Sequence, residues 1–332
     1  MSNERTLRPG AHTAGAALLT ALAILNLAWI VRDFDKAATV TDAWWMWSGL
    51  LFRAQDGIWA SSFVEPTLLV LYTVCAVTVL LSSSAAGILV SAGVLTVLLR
   101  VPTLWNLNAS WVQGGVSDGL RNKVLFSAIT MLVLAVALVV TAMAGRRRSA
   151  QPDADAVPLA WVSTRDEPPA PPTRGGGLAA SLLLSAMAAV LISWEIRSWS
   201  EQGWELYSRH FTGDRALVTL LAVPESWYRW ALALLCLTAS VATFNRARFA
   251  RPLGMTVSAP LLGLGLFYLS FAAKAGLLAD FGALALRDQL RLSTAVFEIL
   301  VSFALLLALA GRGEQSAAAE PHSGTIRSFS SA

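Results

Sequence analysis

The chain has 332 residues, of which 55% are apolar and only 14% charged, with a formal net charge of +4. A soluble domain carries about 25% charged residues, so this composition excludes an ordinary soluble fold. The positive balance does not point to nucleic acid, because no basic stripe with interleaved aromatics lies on a polar segment.

Residues 1–12 read as a short polar tail. The first apolar run, 13–31, is long and ends in Trp29 and Arg32 rather than in a small-residue cleavage site, so it reads as a span and not as a cleaved signal peptide. Residues 43–53 are too apolar for a plain loop and carry Trp44, Trp45 and Trp47. They read as an amphipathic segment lying in the membrane interface. Apolar runs at 66–83, 85–104 and 124–144 complete a first group of four. Residues 146–177 hold Arg146-Arg147-Arg148, a proline-rich stretch and Gly175-Gly176-Gly177, and read as a disordered linker with too little apolar surface to offset its ordering entropy.

A second group follows at 178–196, 227–244, 257–278 and 292–311, with an interfacial segment at 203–211 that contains Trp204. Residues 216–223 read as a further short interfacial helix, and 313–332 as a disordered tail. Each of the eight long runs approaches the ~20 residues a helix needs to cross a bilayer. Backbone amides in lipid must be satisfied within the segment, so all eight are predicted helices.

The two groups are one unit written twice. Trp29-x-Val31-Arg32 recurs as Trp194-x-Ile196-Arg197, an offset of 194 − 29 = 165, and Leu120-Arg121-Asn122 recurs as Leu286-Arg287-Asp288, an offset of 286 − 120 = 166. Trp44 and Trp204 share an offset of 204 − 44 = 160. The predicted fold is therefore all-α and polytopic: two four-helix membrane repeats, 13–145 and 178–312. An even number of spans per unit makes the repeats parallel rather than inverted. Cys75 and Cys236 fall mid-span in matching helices and read as small buried hydrophobes.

The arginines at 146–148 and at 246, 248 and 251 put the linker and both termini in the cytoplasm by the positive-inside rule. Scarce lysine beside abundant arginine and alanine points to a bacterial source, and so to the bacterial cytoplasmic membrane. All tryptophans except Trp161 then map to the outer face. An aromatic belt explains part of this, but belts mark both faces of a membrane, and an aromatic-lined cavity is the other reading.

Ionisable groups inside a span are costly and usually face a bundle interior or a wet cavity. Arg32, Asp33, Arg100, Glu195, Arg197, Lys274 and Glu298 meet this description. Each also has a structural reading, such as Lys274 snorkelling outward or Glu298 pairing with an arginine. Together, Arg32, Arg100, Arg197, Lys274 and Glu195 are expected to form a ring beneath the interfacial segments. In that arrangement Arg32, Arg100 and Arg197, with Glu298, hold a polar head, and Trp44, Trp45, Trp47, Trp199 and Trp204 wrap an apolar part. Glu195, Lys274 or Asp33 would serve as general acid or base. No His/Cys/Asp cluster has metal-ligand spacing and no phosphate-binding glycine loop occurs, so neither a metal nor a cofactor is expected.

In layout, each half resembles the DoxX-like and HTTM (vitamin K carboxylase-like) four-helix membrane units. The resemblance is carried by Trp29-Ile30-Val31-Arg32-Asp33-Phe34 and by Gly114-Gly115-Val116-Ser117-Asp118 before the fourth helix. In the second half it is carried by Trp194-Glu195-Ile196-Arg197, with only Asp280-Phe281-Gly282 at the turn. The resemblance implies quinone, redox or lipid-adjacent chemistry and transfers no catalytic residue. Three functions remain open. The first is binding, and as an enzyme cyclising or isomerising, an isoprenoid, quinone-type or other lipid-like molecule. The second is carriage of a small molecule between the halves, and the third is a non-catalytic scaffold. The expected partner is a membrane lipid or lipid-like molecule, not nucleic acid.

Overall fold

The computed structural model describes residues 5–52, 54, 58–107, 116–148, 169–214 and 219–311. The first half contains α1 (Pro9–Lys36), α2 (Val40–Trp47), α3 (Val64–Leu81), α4 (Ala85–Asn106) and α5 (Asp118–Ala144). The second contains α6 (Arg174–Thr212), α7 (Glu225–Phe244), α8 (Ala250–Lys274) and α9 (Leu286–Ala310). All but α2 are long and apolar enough to cross a membrane.

Local chemistry sets the helix ends. Proline opens α1, where its missing N–H costs nothing, and Lys36 sits against the carbonyl end of the same helix. Thr39 and Asp42 close a capping box at the start of α2. Helix α6 breaks at Gly203, whose φ of 73° strongly favours glycine, so the stretch 203–211 is helical and set off from the span by a kink.

The two halves share one packing plan. In the first, α1 lies along α3 and α5, α4 along α5, and α3 against α4; in the second, α6 lies along α7 and α9, α8 along α9, and α7 against α8. The halves meet through α3 and α4 against α8, and α4 against α7. Residues that touch their own counterparts mark the axis relating two copies. Gly87 meets Pro252, where 252 − 87 = 165, and Trp59 bridges Thr219, where 219 − 59 = 160. The Trp59–Thr219 bridge is parallel, so both halves run in the same sense, and every tryptophan among the described residues lies towards one end of the bundle.

Several boundaries differ from expectation. The amino-terminal segment is not a free tail: Arg5–Leu7 pairs antiparallel with Arg146–Arg148, and Leu7 is buried. Helix α6 begins at Arg174, so Gly175-Gly176-Gly177 are helical and not linker. Thr173 caps that helix through Gly176, and a Cβ at Gly176 or Gly177 would press on the carbonyl oxygens of Ala308 or Thr243. These glycines are there for close helix contact. Residues 216–223 do not form an interfacial helix over their described part. Leu220 and Leu221 instead donate to the carbonyls of Trp59 and Ala60, in extended pairing. Most of the linker and all of 313–332 lie outside the described residues, as do Trp111 and the Gly114-Gly115 pair.

Small residues also join α4 to α5. A Cβ on Gly93 would lie 2.7 Å from the Ala135 carbonyl oxygen, which is backbone and cannot swing away. Gly93→Leu is expected to destabilise the chain by about 2 kcal/mol through forced separation of α4 and α5. Lowered melting in detergent would show this, and an unchanged melt would contradict the packing.

Candidate functional site

Two polar systems lie below the tryptophan end, one in each half. In the first half, Asp33 ends α1 fully buried and accepts hydrogen bonds from the backbone N–H groups of Ala60 and Ser61, the Ser61 hydroxyl and Arg32. Ser61 Oγ also accepts from Trp47 Nε1 at 3.0 Å. Asp33 therefore ties the segment before α3 to α1 and, through Ser61, sets the Trp47 ring.

In the first turn of α3, Glu65 caps its own helix by accepting from the Ser62 N–H and hydroxyl. Its other oxygen receives Arg100 Nη1 at 2.7 Å, with both side chains fully buried. Arg100 also donates to Asn26 Oδ1 at 3.0 Å and to the Leu221 carbonyl. The first bundle thus fills its own interior with a paired guanidinium.

The second half differs at those positions. With the offset of 165, Arg100 corresponds to Gly265 and Asn26 to Leu191 (265 − 100; 191 − 26). No side chain replaces Arg100: Gly265 packs against α9, where a Cβ would lie 2.6 Å from the Ala295 carbonyl oxygen, and a cavity of about 320 Å³ is lined by the neighbouring Leu264 and by Leu191 and Glu225. Its ionisable lining comes entirely from the second half: Glu225 and Arg229 at the start of α7, and Arg291 and Glu298 on α9. The first half adds Trp47, Ser48, Gly49 and Phe63. Rings of Trp47, Phe267, Phe63 and Tyr228 follow one another with centroids 6.3, 6.0 and 5.3 Å apart, forming an aromatic wall.

Most of the charges here are committed. Arg229 holds Glu195 at 3.2 Å and also Glu225. Arg291 reaches Glu225 at 3.0 Å and lies 5.1 Å from the Tyr268 ring centroid. Glu195 further accepts from Tyr207, whose hydroxyl accepts from Trp230. Glu298 is the exception. It is 4% exposed and lines the cavity, yet no hydrogen bond or ion pair reaches its carboxylate from the described residues. It stands 12 residues into α9, about 18 Å from its start, which is near mid-membrane.

The structure does not assemble the predicted ring of Arg32, Arg100, Arg197, Lys274 and Glu195. Arg100 is sealed inside the first bundle, and Arg32 clamps Asp33 and the Ile58 carbonyl. Arg197 pairs with Glu201 at 2.7 Å on the outside. Lys274 lies 4.9 Å over the Trp45 ring at the end of α8, as snorkelling implies. Of the five tryptophans expected to wrap a ligand, Trp47 lines the cavity. Trp44 pins α2 to Ser270, and Trp199 and Trp204 cluster with Tyr207 at 50% and 64% exposure, as belt residues do. Trp194 lines the cavity as well, through α6.

Sequence reasoning missed Glu225, Arg229 and Arg291. The signal was present: Glu65 and Glu225 share the Trp59/Thr219 offset (225 − 65 = 160), so each repeat begins its second long helix with a carboxylate. Metal-binding groups of His, Cys, Asp and Glu are absent among the described residues. Comparisons with protein-family models, curated proteins and solved structures found no match.

Proposed function

We propose that this multi-pass membrane protein binds an amphipathic, lipid-like molecule in the second-half cavity, with the tryptophan end facing outward from a bacterial cytoplasmic membrane and both termini inside. The reading is carried by one observation: a cavity of about 320 Å³ joins an aromatic wall to a buried carboxyl group that no hydrogen bond or ion pair reaches from the described residues. Ligand sites are typically apolar concavities with a few convergent polar groups. The acyl or isoprenoid part of the molecule lies along Trp47, Phe63 and Phe267, and its head reaches towards Glu298. Asp33 and Glu195 spend their lone pairs on protein donors. Glu298, expected among the head-binding residues rather than as acid or base, is the cavity carboxyl with no partner among the described residues, and any proton exchange with a bound molecule belongs there.

Thr294 lines the cavity and accepts from Trp194 Nε1 at 3.1 Å. Thr294→Phe is expected to fill the space and lower the yield of a co-purifying lipid-like molecule about ten-fold, a loss of about 1.4 kcal/mol in binding. Mass spectrometry of protein in lipid nanodiscs measures this, and undiminished co-purification sinks the reading.

A carrier function draws on a second cavity of about 280 Å³ at the arginine end, between the halves, lined among others by Thr78, Ser82 and Thr256. Pro260 interrupts α8 between the two cavities. This reading expects proteoliposomes holding the protein to take up labelled hexyltrimethylammonium faster than empty liposomes. Equal rates would leave binding without transport.

A further inference from the structure

One carboxyl group of the cavity has no hydrogen-bonded or ion-paired partner among the described residues. The carboxylates of Glu195, Glu225 and Glu298 face two guanidiniums, those of Arg229 and Arg291. The arginines are engaged by Glu195 and Glu225. Glu298 is left over, buried near mid-membrane. A charge so placed is expensive unless it is paired. An alkylammonium or guanidinium group seated against Glu298 would supply the missing partner.

The first half shows what such a place accepts. There, the interior is occupied by the Arg100 guanidinium, held against Glu65 and Asn26. The second half keeps a carboxylate, Glu225, at the Glu65 position but has Gly265 at the Arg100 position, and its two cavity arginines, Arg229 and Arg291, are already held by Glu195 and Glu225. The walls suit a cation, which is stabilised over aromatic faces, most strongly where water is excluded. Trp47, Phe63, Tyr228 and Phe267 provide such faces beside the cavity.

Resting on the cavity reading above, we propose that the head of the bound molecule is a monocation, an alkylammonium or guanidinium group, seated against Glu298 within the aromatic wall. Arginine-bound anion recognition, the role expected for Arg32, Arg100 and Arg197, does not fit guanidiniums already held by carboxylates.

The test uses the full chain in nanodiscs and follows tryptophan fluorescence, since Trp47 and Trp194 line the site. Four probes are titrated below their micellar concentrations: hexyltrimethylammonium, tetramethylammonium, hexyl sulfate and hexanol. The wild type is expected to bind hexyltrimethylammonium at least ten-fold more tightly than hexanol, and hexyl sulfate more weakly than either. Glu298→Gln keeps the shape and removes the charge. It is expected to weaken hexyltrimethylammonium about ten-fold and leave hexanol unchanged. Tetramethylammonium separates sources: binding as tight as the tailed probe identifies a soluble amine, and weaker binding a cationic lipid, either supporting the cation site. A wild-type preference for hexyl sulfate, or equal effects of Glu298→Gln on both tailed probes, overturns the monocation while the cavity stands. Failure of hexanol and hexyltrimethylammonium alike to bind the wild type overturns the cavity reading and the proposal with it. The wild-type ranking decides the matter even if the variant does not fold.

Discussion

Arg100→Ala is expected to be the most damaging single substitution in the chain, lowering stability on the order of 3–5 kcal/mol. Arg100 and Glu65 are both fully buried and 2.7 Å apart, and Asn26 and the Leu221 carbonyl complete the guanidinium's partners. Removing the arginine leaves an ionised carboxylate in the middle of a helical bundle with only Ser62 to hold it. Glu65→Ala strands the guanidinium in the same way and should cost a similar amount. The pair need not itself be stabilising. Replacing a buried ion pair with apolar residues of like volume is often neutral, so Glu65→Leu combined with Arg100→Met should recover at least half of the loss. Denaturation with increasing detergent, followed by circular dichroism, measures all three variants. A single variant with wild-type stability would show that the pair is not closed as described. A double variant no better than Arg100→Ala would show that the polar network itself specifies the packing.

Asp33→Ala should produce the second large effect, and one that is local before it is global. The carboxylate receives the Ala60 and Ser61 N–H groups, the Ser61 hydroxyl and Arg32. Hydrogen bonds to a charged group are worth about 1.5–3 kcal/mol each, and the buried donors left behind add their desolvation cost. Several such bonds are lost together, so the expected destabilisation is about 3–5 kcal/mol. The segment before α3 is released first, and with it Trp47, which depends on Ser61 for its indole hydrogen bond. Asp33→Asn should fare little better, because its amide group would confront donors. The readout is thiol labelling of Ala60→Cys, a site with no exposure. Both native cysteines are buried and give a low background. Labelling is expected to be slow where Asp33 is kept and fast when Asp33→Ala is added, at temperatures where helix content is unchanged. Slow labelling in both would remove the clamp from Asp33.

The candidate site was partly legible. Glu298 stood out because a carboxylate midway along an apolar run is rare and costly, and that argument needs only the sequence. Trp47 was singled out with four other tryptophans, and nothing in their spacing separates a cavity ring from a belt ring. Arg229 and Arg291 escaped notice because a charge within the first turns of a span looks like a loop residue. Their inward direction depends on which helix face meets a neighbour. The predicted ring failed for a related reason. Arg32, Arg100 and Arg197 share a depth, but depth is one coordinate and a site needs three.

The sequence alone determined the spans, the common sense of the two halves and the end that carries the tryptophans. These follow from hydropathy, the repeat offset and helix alternation, which are properties of each segment or of the chain's order. Only the tertiary structure decided that the halves meet about Gly87/Pro252 and Trp59/Thr219, and that Arg100 is sealed inside one bundle while the other holds a cavity. Lipid drives all eight helices into the membrane alike, so hydropathy says nothing about their lateral order. Which carboxylate keeps a partner is settled by side-chain packing between helices far apart in the chain, and among the described residues Glu298 has none.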